Sequence, residues 1–306
     1  MKTVRAAPRI ALVGTCQVGG MASAMRALLP DAEVRPWHVA ANTADGDDEI
    51  LAQLPSFDLI VSQLPETSKH EALRISRLRA AGLNCMFQPP LVFGGLHPDT
   101  TYLRKPNRGV LHGFLSDYHS TIVASAYVLG VPARRVPSLF NNFVYAELGY
   151  FEVFEAARSA SLDAFREAGY DLDRHFDDWL RRIGQFMYSQ NHPNIEVLKT
   201  LALLVLAKAG MVDPGEATTG EVEDYLATAF IWPVYPGLAK RLGLEGSATF
   251  LRDAYGLAEG ELRDLSLQDY VAGSYEIYSA HDRDHIRTGI AAVERACERL
   301  SGLIRV

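Results

Sequence analysis

The residue in this sequence best placed to do chemistry is a cysteine in a glycine-rich turn. Cys16 stands in Gly14-Thr15-Cys16-Gln17, after the apolar run Ile10-Ala11-Leu12-Val13 and before Val18-Gly19-Gly20. A thiol becomes a working nucleophile when a base takes its proton and a third group orients that base. Nine histidines are available. His38 and His70 fall on a strand and on a helix face, and His175, His281 and His285 in charged helical stretches, so these five read as surface or core residues. His97, His112, His119 and His192 fall in loops rich in Gly, Pro and Asn, where functional side chains concentrate. His119 is the leading base, because it starts a helix directly after the sheet region. Asp117 lies two residues earlier, and in an extended segment side chains at i and i+2 share one face. The plain alternative for Cys16 is a small packing residue in the core.

The elements around the thiol must place it at an edge. Residues 10–14 read as a buried parallel strand, and Met21, Met25, Leu28 and Leu29 recur at helical spacing until Pro30 stops the helix. This puts Cys16 just past the carboxyl end of a strand and beside a helix N-terminus, where open α/β sheets bind ligands. Exposed backbone N–H groups there stabilise an anion or a thiolate. Donors for a developing oxyanion are the backbone N–H groups of Gln17 and Val18, or the side-chain amides of Gln17 or Gln63. Gly14 and Gly19 have P-loop spacing, but Gly20 and Met21 stand where its Lys and Ser/Thr belong, which excludes an NTPase. The glycine pattern of dinucleotide folds is absent as well.

Further strands are expected at 33–39, 57–61 and 83–87, with helices at 21–29 and 66–81. Strand and helix alternate at the spacing of βαβ units. The fold class is therefore α/β, a doubly wound parallel sheet in the N-terminal half with a mostly helical C-terminal half. The expected division is an α/β domain over 1–130 and a helical region over 131–306. Residues 91–120 read as long loops, and in them Arg104, Lys105 and Arg108 form a basic set suited to a phosphorylated cofactor. The bland alternative is a solvated charge run. Asp117 or Ser120 caps a helix over 121–129. Beyond residue 137 helices are expected at 139–148, 149–168, 172–183 and 196–208. Residues 186–193 interrupt that half with polar side chains and Pro193, and an amphipathic helix closes the chain at 284–303.

Composition narrows the function classes. The 306 residues carry a net charge of −7, which argues against a broad nucleic-acid surface. Cys16, Cys85 and Cys297 are widely separated and odd in number, so neither a disulfide framework nor a zinc spacing is present, and no metal site is expected. A reducing, cytoplasmic setting is expected. Residues 1–9 lead into too short an apolar run for a secretory leader, and residues 200–212 contain Lys208 and are too short to span a bilayer.

Taken together, Gly14-Thr15-Cys16-Gln17, Gln63, Phe93-Gly94-Gly95-Leu96-His97-Pro98-Asp99, Asp117-Tyr118-His119-Ser120 and the 186–193 segment with Asn191-His192-Pro193 form a pattern. In this order they resemble the WcbI-like family of capsular polysaccharide biosynthesis proteins, over the first two thirds of the chain. The resemblance implies a coenzyme A-binding acetyltransferase that acts on a sugar through a Cys-His-acid site. Carried onto this sequence, Cys16 is the nucleophile and His119 the base, with Asp117 or Asp99 as the acid. Gln17, His97, Arg104, Lys105, Ser120, Asn191 and His192 are the expected contacts to coenzyme A or acetyl-CoA. The implied partners are a thioester and a carbohydrate acceptor, and the sequence leaves the oligomeric state open. The rivals are a hydrolase of the SGNH type with Cys for Ser, a coenzyme A- or nucleotide-binding protein without turnover, and a redox-responsive thiol protein.

Overall fold

The apolar run after Pro8 becomes an interior strand of a parallel sheet. A computed structural model describes residues 7–39, 46–105, 109–218, 220–258 and 260–303. The elements in chain order begin with β1 (Arg9–Gly14), α1 (Val18–Leu28), β2 (Glu33–His38), α2 (Asp47–Gln53), β3 (Leu59–Ser62), α3 (Ile75–Ala80) and β4 (Cys85–Phe87). They continue with β5 (Thr100–Arg104), β6 (Val110–Leu111), β7 (Tyr118–Ser120), α4 (Thr121–Val128), α5 (Asn142–Glu147), α6 (Val153–Glu167), α7 (Asp173–Arg182) and α8 (Ile195–Lys208). The last are α9 (Pro236–Arg241), β8 (Phe250–Leu251), β9 (Asp264–Leu265), α10 (Leu267–Ser279), α11 (Arg283–Thr288) and α12 (Ala291–Ser301).

The chain divides into two compact units, each built from separate stretches. One comprises Met1–Val92, Ser159–Phe186 and Asn191–Leu226, and the other Phe93–Arg158, Met187–Gln190 and Ala227–Val306. The division does not fall at residue 130. Helices far along the chain complete the first unit, and no local pattern announces that pairing. Gly20 of α1 shows the reason: a Cβ there would stand 2.5 Å from Leu198 Cδ1 on α8, so the two helices approach only because Gly20 has none.

In the first unit the strand order is β2-β1-β3-β4, all parallel. Ile10, Ala11, Leu12 and Val13 of β1 are fully buried, as an unbroken apolar strand must be when both sheet faces are covered. Burying each larger side chain contributes roughly 1.5–3 kcal/mol. The order reverses between β1 and β3, which makes the carboxyl end of β1 the topological switch point. The expected α/β class, with its parallel sheet in the N-terminal half and a mostly helical C-terminal half, is the one observed. The helix expected over 66–81 is shorter. The Arg74 guanidinium bonds the Ser68 carbonyl and the Glu66 carboxylate takes the Ser76 N–H and hydroxyl. These local side-chain bonds hold 66–74 as turns and confine the helix to α3.

In the second unit β5 pairs antiparallel with β6 and β7, so the 91–120 stretch holds a small sheet where loops were expected. Ser120, rather than Asp117, caps α4, its Oγ accepting the Val123 N–H at 3.0 Å. The helix expected over 284–303 is two, α11 and α12, separated at Gly289-Ile290, where Ile290 is extended. Trp232, Phe250 and Tyr270 form the aromatic centre, with Phe250 stacked on Tyr270 at 4.3 Å between centroids. Among the described residues no helix is long and apolar enough to cross a membrane.

Gly14 generates a test of the sheet's tightest point. A Cβ there would lie 2.6 Å from Gln63 Oε1, and 2.8 Å from both Gln63 Cβ and Val18 Cγ1. Gly14→Ala is expected to lower stability in urea unfolding by about 1–3 kcal/mol. Gly256→Ala, which meets nothing within 4 Å, should change it by less than about 0.5 kcal/mol.

Candidate active site at the Cys16 turn

The turn between β1 and α1 is held by a side chain rather than by its glycines. Gln17 is fully buried, and its Nε2 donates to the Leu91 carbonyl at 2.8 Å and the Asn191 carbonyl at 3.0 Å. Its Oε1 accepts the Leu91 N–H at 3.1 Å. The amide thus clasps the backbone at residue 91 from both sides. The neighbouring thiol donates to the same Asn191 carbonyl at 3.6 Å, and the Tyr225 hydroxyl donates to the Cys16 carbonyl. Gly19 leaves room for that tyrosine, since a Cβ would lie 3.1 Å from its hydroxyl.

Beside the thiol lies a cavity of about 380 Å³ lined by Thr15, Cys16, Val18, Gly19, Pro36, His38 and Tyr225. Its walls are chiefly Val18, Pro36 and the Tyr225 ring, an apolar setting suited to the hydrocarbon part of a small ligand. Burial pushes the Cys16 thiol up from its ordinary range, and a bond from the Thr15 side chain only partly offsets this. Cys16 is therefore protonated at neutral pH and needs a base to become a nucleophile. All three cysteines are free thiols.

Three of the four expected oxyanion donors are already committed. The Val18 N–H donates to the Thr15 carbonyl, the Gln17 amide to Leu91 and Asn191, and the Gln63 amide to Gln88 Oε1 at 2.9 Å. The Gln17 backbone N–H has no acceptor among the described residues. Of the expected cofactor contacts in this unit, Asn191 faces the thiol through its carbonyl. His192 follows it, and burial pushes its imidazole down to about 4. His38 and Tyr225 are the cavity residues that sequence reasoning passed over. A strand-end position at the level of Gly14 was the available signal for His38.

The remaining candidates belong to the second unit. His119 is buried, its Nε2–H donating to the Leu111 carbonyl at 2.8 Å and its Nδ1 accepting from the Tyr278 hydroxyl at 3.0 Å. Asp117 is exposed and hydrogen-bonds His112, and it acts on His119 through its charge, which favours the protonated imidazole. Asp99 is buried and accepts from the Ile122 N–H at 2.9 Å and from the Tyr150 and Tyr235 hydroxyls at 2.8 and 3.1 Å. His97 is buried and donates from Nε2 to the Trp232 carbonyl at 3.0 Å. The Ser120 hydroxyl is occupied as a cap. Arg104 is exposed and its carbonyl accepts from His285; Lys105 is half-buried, its N–H bonded to the Gly109 carbonyl. Arg108 lies outside the described residues.

These buried groups fix a pH dependence. Burial pushes His97 and His119 down to about 4 from 6.5, so the stability they contribute is present above 6.5 and is lost as the pH falls toward 4. Asp99, pushed up to about 6 from 3.8 by burial, acts oppositely: its contribution is present below 3.8 and is lost as the pH rises through 6. With His192, three imidazoles outweigh one carboxyl, so stability should fall between pH 6.5 and 5, by about 2 kcal/mol for each histidine before the opposing carboxyl term. Urea midpoints measured across that range should flatten in His97→Gln and steepen in Asp99→Asn.

Residues 9–214 match the model of a protein family described as the polysaccharide biosynthesis enzyme WcbI. No curated protein and no solved structure matches the chain. The matched span covers well over half of the sequence and includes the β1–α1 turn, the Gln17 clasp and the Asn191 carbonyl that receives the thiol. The chain belongs to the WcbI family of polysaccharide biosynthesis enzymes.

Proposed function

We propose that this protein transfers an acyl group from a coenzyme A thioester to a sugar hydroxyl, with Cys16 carrying the acyl group between them. The observation that carries this reading is a free thiol at the sheet's switch point, facing a cavity of about 380 Å³ with apolar walls. That cavity suits the acyl-bearing end of a thioester. Val18, Pro36 and Tyr225 would hold the acyl chain and exclude water.

Cys16 Sγ gives its proton to a base and adds to the thioester carbonyl. The Gln17 backbone N–H is the donor free to stabilise the oxyanion. Expulsion of the coenzyme A thiol, which takes up that proton, leaves the acyl group on Cys16. A sugar hydroxyl then gives its proton to the base while its oxygen adds to the acyl carbon. Cys16 departs and is reprotonated, so no proton is gained or lost overall. The family resemblance makes His119 the base, with Asp117 or Asp99 as its acid. To accept a proton at Nδ1, His119 must release the Tyr278 hydroxyl. Arg104 and Lys105, as a basic set, would bind phosphates, with His97, Ser120, Asn191 and His192 as further contacts.

Incubation with acetyl-CoA should add one acetyl group to the peptide containing Cys16, and Cys16→Ala should remove both the adduct and transfer, by on the order of 10³-fold or more. Full transfer by Cys16→Ala would overturn the covalent route. Rapid thioester hydrolysis without any sugar would instead identify a hydrolase. Coenzyme A should raise the melting temperature, and this shift should shrink in the Arg104→Ala, Lys105→Ala double variant.

A further inference from the structure

The thiol's own cavity contains an imidazole, and it is not one that the loop-based reading singled out. Cys16 is held in its protonated form by burial, so some group beside it must take the proton before it can attack a carbonyl. Among the described residues, three ionisable side chains line the cavity: Cys16, Tyr225 and His38. Tyr225 cannot serve, because its hydroxyl is spent on the Cys16 carbonyl and burial pushes it up to about 12. Thr15 is not a base near neutral pH. His38 remains, and imidazole is the side chain suited to taking and returning protons between pH 5 and 8.

Its placement follows from the sheet. β2 lies beside β1 in parallel, with His38 opposite Gly14, two residues before the thiol, and the Val39 N–H bonds the Gly14 carbonyl at 2.8 Å. Adjacent strands are about 4.8 Å apart, so the register brings the end of β2 to the level at which β1 opens into the Cys16 turn. His38 is exposed, and its ring has no hydrogen-bond partner among the described residues. Both ring nitrogens are thus uncommitted among the described residues, and the ring shares the cavity wall with the thiol. Arg35 of β2 stacks over Trp37, and Asp224 beside Tyr225 is bonded to the Ile195 N–H.

We propose that His38, in place of the His119 that the family resemblance suggests, is the general base for Cys16, taking the Sγ proton as the thiol attacks and returning it to the departing thiol. The assignment rests on the acyl-transfer reading for its role in turnover. In the second half-reaction His38 accepts the sugar hydroxyl proton and passes it to Cys16 as the sulfur leaves.

The test reads thiol activation directly, without thioester or sugar. Iodoacetamide alkylation of Cys16, located by peptide mass, is followed from pH 5 to 9 in the wild type, His38→Gln, His38→Ala and His119→Gln. The wild-type rate should show an inflection that His38→Gln removes, with a fall of at least about tenfold at pH 7. His119→Gln should keep it, and added imidazole should restore much of the rate in His38→Ala. Circular dichroism checks that each variant is folded. A His38→Gln profile that superimposes on the wild type, or an inflection lost only in His119→Gln, overturns the proposal. If the inflection depends on His38 while acetyl-CoA never labels Cys16, the base assignment stands and the transferase reading fails.

Discussion

The Gln17 amide is the constraint on which the rest of the first unit depends. It makes two buried bonds to the backbone of residue 91 and a third, part-buried, to the Asn191 carbonyl. A buried amide deprived of its partners costs about 1–3 kcal/mol for each unmet group, so the three bonds stand or fall together. Their geometric effect exceeds their energy. They tie the first strand-to-helix turn to two segments that are 74 and 174 residues away. The thiol one residue earlier inherits its position from that tie, and the cavity beside it inherits its shape.

A comparable anchor organises the second unit. Asp99 receives a backbone N–H at the start of α4 and hydroxyls from Tyr150 and Tyr235. Hydrogen bonds favour the charged form and burial disfavours it, and burial prevails, leaving the carboxyl near 6. The same burial keeps His97 and His119 neutral, each donating one ring proton to a backbone carbonyl. The loop-like stretch from Phe93 to Ser120 is therefore ordered chiefly by polar groups that have been removed from water and given fixed partners.

Much of the first unit was legible because its signals are local. The Ile10–Val13 run, the helical spacing of Met21 and Met25 and the glycines between them specify strand, turn and helix within 20 residues, and Cys16 follows from them. What was not legible depends on distant partners. Nothing near Gly20 announces Leu198, and nothing near Cys16 announces Tyr225. Asp117 and His119 show the limit of spacing arguments. The i, i+2 rule holds along a strand, but Asp117 precedes β7, so it turns out to His112 while His119 turns in to Tyr278. His38 was discounted for lying on a strand, although it ends that strand, and the carboxyl ends of parallel strands are where such sheets place working side chains.

The Asn191 carbonyl receives two donors, the Cys16 thiol and the Gln17 amide. An oxygen with two lone pairs can surrender the longer of these contacts and still be satisfied by the other. Substitution on sulfur would strip away the S–H and leave that oxygen properly bonded. The segment following Asn191 thus has no electrostatic reason to recoil when the sulfur is loaded, and the turn can cycle between two chemical forms on an unchanged frame.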